Sequence, residues 1–477
     1  MQTHLFLRWL AALVLCLGSQ FVARASHVLG GDISYSPISS TTGVPRYHIS
    51  VRLYRDLNGV DQPDINLTCS RNGCGTLTAG SFTRTLPLSQ RLSGTSLGCT
   101  SANSFGYQVL TFETDEDLPA GQWTLSVYAE NRAANILNMA YSDRQTFYIS
   151  SFLDNATVKQ NSSPKFLSTL LPYLCGNSAQ RYSFSAFDSE GDSLTYNLVA
   201  PQGGVQPMGW CGEDIAGELA PYFQLNKATG GLTAQETTVR TGRYAMAARV
   251  NEYRRVGDSW QLIGGVTRDV SYIAYASTNK SPRFTGLALG SSAATQPVEQ
   301  LIRVKPGQTI SMLLSAADAD AGQTLSFSSQ APGVVPGLSL ATVSATQARL
   351  TWQVPTGLPL GRYTATVAVV DNGCPLHASE EQTLTFLVAN QTLATRPGTD
   401  APATAFPMPF REQVQFKATA GGQPITIVDE LGRIIAQLRA GADGRVLWQP
   451  AASLPAGLYL ARGADGRPLA RLLRAAN

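Results

Sequence analysis

The stretch "TGRYAMAARV" occupies residues 241–250, and a near copy, "LGRYTATVAV", occupies residues 360–369. In the first, Tyr244, Met246 and Ala248 fall on one side, and Ala245, Ala247 and Arg249 on the other. The second repeats the pattern with Tyr363, Ala365, Val367 and Val369. A side-chain period of two is a β-strand. Related lines occur at "PAGQWTLSVYAE" (119–130) and "LPAGLYLARG" (454–463), each with a Gly at the turn and an aromatic opening the strand.

The surroundings of the two central copies also match. Upstream, "NSSPKF" (161–166) pairs with "NKSPRF" (279–284), and "SAFDSEGDSLTYNL" (185–198) with "SAADADAGQTLSFSS" (315–329). Downstream, "RDVSYIAYA" (268–276) pairs with "QTLTFLVAN" (382–390). The order is conserved between copies set 119 residues apart, which predicts two tandem domains of one sandwich each, at 159–277 and 278–390. Tyr244 and Tyr363 read as core aromatics.

The flanks read as β as well. Residues 26–158 hold "GGDISYSP", "RYHISVRLYRDL", "FGYQVLTFE" and "RQTFYISSF", all alternating or rich in β-branched and aromatic residues, and form an N-terminal β domain. Residues 391–405 have a linker's Thr, Ala and Pro composition, and 406–477 form a compact last unit. The fold class is therefore all-β, tandem immunoglobulin-like sandwiches ending in a small sandwich. A chain of 477 residues with 43% hydrophobic and only 14% charged residues, 43 Gly and 26 Pro fits several such modules.

Residues 1–25 place Arg8 in an apolar run and end in Ala23-Arg24-Ala25, the small-x-small pattern of a signal peptide cleaved before Ser26. No second long apolar run follows, so the mature chain is expected to have no transmembrane segment, soluble or attached at the surface. Cleavage removes Arg8 and Arg24 and no acid, so 36 basic residues become 34 against 33 acidic ones. That balance lacks the basic footprint of nucleic-acid binding. Six cysteines remain: Cys69, Cys74, Cys99, Cys175, Cys211 and Cys374. Their number suits an exported, disulfide-bearing chain; Cys175 with Cys211, and Cys69 with Cys74 in "CSRNGC", are the expected pairs. Cys374 has no evident partner in its own domain.

The last unit resembles the C-terminal sorting domain of the type IX secretion system of Bacteroidota. "FPMPF" (406–410), "PITIVDELGRIIAQL" (424–438), "LPAGLYLARG" and the closing "LARLLRAAN" carry the likeness, with Phe406 where that family usually has Asn. The start, "SHVLGGDISYS" followed by "YHISVRLYRD", looks like the opening of large Bacteroidota surface proteins. The central domains resemble cadherin and PKD-like sandwiches. The resemblance implies carriage through the periplasm and across the outer membrane by the type IX machinery, acting on residues 406–477, and a secreted or outer-membrane-surface product. Surface glycans or other cell-surface proteins are then the expected partners.

Calcium is the candidate cofactor. Ca²⁺ takes six to eight hard oxygens, and alternating acids in a turn set several carboxylates on one side. "FDSEGDSL" offers Asp188, Glu190 and Asp192, and "ADADAGQ" offers Asp318 and Asp320. By resemblance to cadherin arrays, Asn161 and Asn279 before each Pro-x-Phe would add ligands between domains. Asp and Gly also simply make turns, and both readings stay open here.

Catalytic constellations are poorly supplied. "GTSLG" (94–98) matches the nucleophile-elbow pattern at Ser96, but no helical period follows it. Only His27, His48 and His377 remain after cleavage, with no His-Glu-x-x-His or Cys-x-x-Cys. Glu113, Asp115, Glu116 and Asp117 read as an acidic turn, although a carboxylate pair for glycoside hydrolysis can be built from distant acids. Trp210 and Trp260 could stack on sugars. "RPLARLLR" (467–474) reads as a terminal strand with Arg on one face. The expectation is a non-enzymatic structural or adhesive surface protein. The rival is an extracellular hydrolase or carbohydrate-binding accessory with its site in the N-terminal domain.

Overall fold

The structure is a computed structural model that describes residues 28–57, 59–73, 79–93, 98–99, 106–129, 132–176, 178–204, 211–292, 294–390, 405–418, 420–464, 466 and 468–475. Residues 1–25 with the expected signal peptide, Cys74, Ser96, Trp210 and nearly all of the expected linker lie outside the described residues. Those described are all-β, with two short 3₁₀ turns and no α-helix. No helix among them is long and apolar enough to cross a membrane.

Seven N-terminal strands, from Val28–Ile38 to Phe147–Asp154, pair antiparallel in one run. The run is closed by a strand from far along the chain. Ser259–Tyr275 pairs with the first strand through Gly30 and Gly31, and with the seventh through Leu153, Phe152 and Ser151. Eight strands thus form a closed ring of pairings around a core containing Tyr35, Tyr47, Phe112, Trp123 and Phe147. Closure leaves no open edge in the ring. It also requires backbones to approach closely: a Cβ on Gly30 would lie well inside contact distance of the Asp269 carbonyl and 2.7 Å from Val270 Cα.

Ser259–Tyr275 belongs equally to the first repeat. It forms a long hairpin with Gly242–Val256, the strand written by "TGRYAMAARV", and Ser193–Val199 adds to the other side. A smaller sheet of Gln180–Ser183, Gly231–Ala234 and Phe223–Leu225 faces it across a core holding Phe184, Tyr196, Met246 and Tyr272. The second repeat is a sandwich of two four-stranded sheets. In one of them Leu301–Val304 runs parallel to Ser379–Val388, and Trp352, Tyr363 and Phe386 fill the centre. The last unit packs Val414–Lys417 and Arg445–Trp448 against a four-stranded sheet ending in Pro468–Arg474, around Phe410, Trp448 and Tyr459.

The aromatic that opens each repeated line does one job four times. Tyr244 Oη donates to the Arg240 carbonyl at 2.7 Å, Tyr363 Oη to Pro359 at 2.8 Å, Tyr459 Oη to Pro455 at 2.6 Å, and Trp123 Nε1 to Pro119 at 2.9 Å. Each ring is buried and ties its polar tip to the carbonyl four residues upstream, pinning the corner before the strand.

The cysteine pairs expected from spacing need correction. The disulfide joins Cys99 to Cys374, 275 residues apart in sequence. It clips the barrel's loop to the second repeat, where Gly98 bridges Leu376 and Cys99 N–H donates to the Pro375 carbonyl. Cys175 is a buried free thiol whose Sγ–H points at the Ser277 and Asn279 carbonyls, so no bond to Cys211 forms. Cys69 is likewise a free thiol, sealed in the barrel core. Sequence proximity gave no weight to contacts across domains, and these decide the pairing.

Candidate metal centre

Behind the first-repeat corner, the strand Gly242–Val256 carries Glu252 inward, eight residues after Tyr244. The acidic turn 188–192 folds over it, and Asn161 enters from the segment that leaves the barrel. Asp188, Asp192 and Glu252 are all buried, and each offers a carboxylate oxygen within 4.8 Å of the other two. It is the one such group of three or more acids, histidines or cysteines among the described residues.

The hydrogen bonds fix the pattern of charge. Asn161 Nδ2 donates to Glu252 Oε2 at 2.9 Å. Arg254, two residues on, donates to both oxygens of Asp192 at 2.7 and 2.5 Å and to Asn161 Oδ1 at 2.6 Å. Asp188 Oδ1 accepts the Asp192 N–H at 2.8 Å. Asp188 Oδ2 and Glu252 Oε1 remain buried without a hydrogen-bond partner. Three carboxylates therefore face one guanidinium, with two oxygens unused. Burial, reinforced by the neighbouring acids, pushes the Asp188 carboxyl up to about 7 and that of Glu252 well above the carboxylate range. Glu252 fits only because residue 264 is Gly, where a Cβ would collide with its carboxylate and lie 2.8 Å from Tyr35 Oη.

The donor set suits a hard divalent cation: oxygen ligands only, anionic in excess, with orphaned oxygens converging. Asp188, Asp192 and Glu252 would hold it, and Asn161 would orient Glu252. Glu190 is turned elsewhere, accepting from the Ser162 N–H and hydroxyl at 3.3 and 2.9 Å.

The second repeat writes the same knot in different residues. Asp371 stands eight residues after Tyr363, as Glu252 does after Tyr244, and Asn279 Nδ2 donates to it at 3.2 Å. Asp318 Oδ2 is orphaned like Asp188 Oδ2. Asp320 accepts the Lys280 N–H at 2.7 Å, and its own N–H donates to Asp318. Where Arg254 donates to Asn161, Gln323 Nε2 donates to Asn279 Oδ1 at 2.7 Å. An arginine has no room there: Gly373 takes the place of Arg254, and a Cβ on it would collide with Asn279. Asp318, Asp320 and Asp371 do not converge as the first set does.

Glu252, Arg254 and Asp371 were not among the residues singled out from sequence. The signal was the common offset of Glu252 and Asp371 from the repeated tyrosine, and it lies past the end of the copied line.

The acids named for a hydrolase are occupied. Glu113 and Asp115 flank His48, Glu116 pairs with Arg84, and Asp117 pairs with Arg46. Trp260 stands exposed near the tip of the long hairpin.

No family model matches the chain, and no curated protein matches it. Solved structures give only remote likenesses. Mouse cadherin-23 EC22–24 is 14% identical over 67% of this chain and 92% of its own, with a TM-score of 0.16. Protocadherin gamma B2 domains 3–6 is 15% identical over 77% and 97%, at 0.17. Titin A168–A170 is 9% identical over 66% and 99%, at 0.16. Scores this low lie far below those of chains sharing one overall arrangement.

Proposed function

We propose that the protein is an exported, non-catalytic surface module with a structural or adhesive role, in which a calcium ion locks the barrel to the first repeat. The observation that carries this is the buried carboxylate excess of Asp188, Asp192 and Glu252, with two orphaned oxygens, at the place where Asn161 leaves the barrel. Deletion of a bound cation would leave unpaired buried charge, and its presence would tie two units together.

Delivery by the type IX machinery through residues 406–477, with release or anchoring at the outer-membrane surface, belongs to the same reading. It is supported by the large apolar side chains that the last unit leaves in solvent: Phe406, Met408, Ile434, Leu447, Leu458 and Leu473. A small sandwich normally keeps such residues inside, and a docking surface is one reason to expose them.

The test is a thermal melt of residues 26–477 in millimolar Ca²⁺ and in chelator. At tenfold excess over Kd, a bound ion adds about 1.4 kcal/mol and raises the midpoint by a few degrees. The rise is expected to vanish in Asp188→Asn with Glu252→Gln. An unchanged midpoint in the parent protein would reduce the cluster to a polar knot. The whole mature chain is required because Ser259–Tyr275 is shared between barrel and repeat.

A further inference from the structure

We infer that the cleft where the barrel and both repeats meet is a binding site for a small organic ammonium ion, a protonated or quaternised amine. Together with the solvent at its mouth it spans about 620 Å³. All three units build it: Tyr107 from the barrel, Tyr173, Tyr182 and Phe223 from the first repeat, His377 and Glu381 from the second.

The walls are aromatic and their hydroxyls largely engaged elsewhere. Tyr107 Oη accepts the Leu171 N–H at 3.3 Å and donates to the Thr169 carbonyl, while Tyr182 Oη donates to the Leu170 carbonyl. These two residues thus offer the cleft ring surface rather than donors. Tyr173 Oη is buried with no hydrogen-bond partner.

Two polar groups of the lining, Glu381 and His377, accept. Glu381 is 5% exposed and takes the Ser183 N–H at 3.2 Å, yet among the described residues it forms no ion pair. Arg268 acts on it only from beyond contact distance. His377 Nδ1 lies 3.1 Å from the Gly373 carbonyl and donates to it, so the acceptor the ring can offer is its other nitrogen. Arg181 also lines the cleft, but its guanidinium is paired with two acids, Glu299 and Glu380.

A buried carboxylate that is hydrogen-bonded but forms no ion pair among the described residues, set among ring faces, matches one ligand chemistry. An organic cation brings the missing charge to Glu381 and satisfies the ring quadrupoles at once. An anionic ligand would meet Glu381, and an uncharged one would leave it unpaired. This site is separate from the carboxylate cluster and does not depend on calcium.

The experiment is calorimetric titration of residues 26–477 with choline, and with 3,3-dimethyl-1-butanol, which has the same shape and no charge. Choline is expected to bind, and the alcohol to bind at least ~10-fold more weakly. Glu381→Gln, which removes a buried charge and keeps the shape, is expected to weaken choline by about 10- to 100-fold. Equal affinity for both compounds, choline binding untouched by Glu381→Gln, or no choline binding would each overturn the assignment.

Discussion

Glu381 carries a consequence that can be measured without any ligand. Burial is the largest cause that raises its carboxyl from 4.5 to about 7, opposed by hydrogen bonding with Ser168, the Arg268 charge and the Ser183 N–H. A folded-state value above the unfolded one means that folding binds the proton more tightly. Its contribution to stability is fully present below about 4.5 and is lost as pH rises through about 7, by about 3 kcal/mol at most. Glu381→Gln is expected to remove that slope. Urea unfolding at pH 5 and pH 8 checks it: the parent protein should lose more stability than the variant over this interval, and parallel losses would contradict it. Asp188 and Glu252 slope the same way, so the difference between parent and variant isolates residue 381. Residues of this kind were only half legible in the sequence. Asp188, Asp192 and Asn161 stood out because acids in a turn and an Asn before Pro-x-Phe are local patterns. Glu252 and Glu381 sit within strands, where an acid reads as solvent-facing unless the layer covering it is known.

At the scale of elements, the repeated line was the most legible feature, since alternation and a Gly-x-aromatic corner are set by a few neighbouring residues. The corner hydrogen bond then explains why the aromatic is Tyr three times and Trp once: each carries a donor at the tip. What no local pattern could show is that Ser259–Tyr275 continues out of its own sandwich to close the barrel. "GGDISY" displayed two glycines without their reasons, which are the crossing of that strand at Gly30 and the close approach of Arg52, Leu53 and Ile149 at Gly31. Gly30→Ala is therefore expected to destabilise residues 26–477 by about 1–3 kcal/mol, because the obstructing atoms are backbone and cannot rotate away. A urea midpoint measured against Gly43→Ala separates crowding from the general effect of adding a methyl group. Gly43 has a left-handed φ of +78° but nothing within 4 Å of its Cβ, so it reports conformational strain alone. Equal losses at the two positions would mean that the strand crossing is loose.

For the whole molecule, the decisive link is Cys99 to Cys374. The second repeat touches the first through polar contacts, Arg181 with Glu380, Ser183 and Ser185 with Thr383, and Thr364 with the Ala186 carbonyl, and through a few apolar ones, with Leu167 and Phe187 entering its core beside Tyr363, and Tyr275 meeting Leu376. Interfaces of that character ordinarily permit relative motion. The disulfide removes it by tying the second repeat back to the barrel across everything between them. Closing so long a loop restricts the unfolded chain by on the order of 5 kcal/mol in the chain-entropy picture, before any loss from real unfolded-state structure. Cys99→Ser with Cys374→Ser is accordingly expected to lower the unfolding midpoint and to split one transition into two, the second repeat melting apart from the barrel and first repeat. Far-UV circular dichroism through a urea series reads the number of steps. The fluorescence of Trp352, buried in the second repeat, and Trp123, buried in the barrel, assigns them once each is kept singly in a Trp-to-Phe background. Coincident single transitions in the double variant would mean that the noncovalent interface alone couples the units. Separate transitions would show that covalent closure, which spacing in the sequence could not reveal, makes three β modules behave as one body.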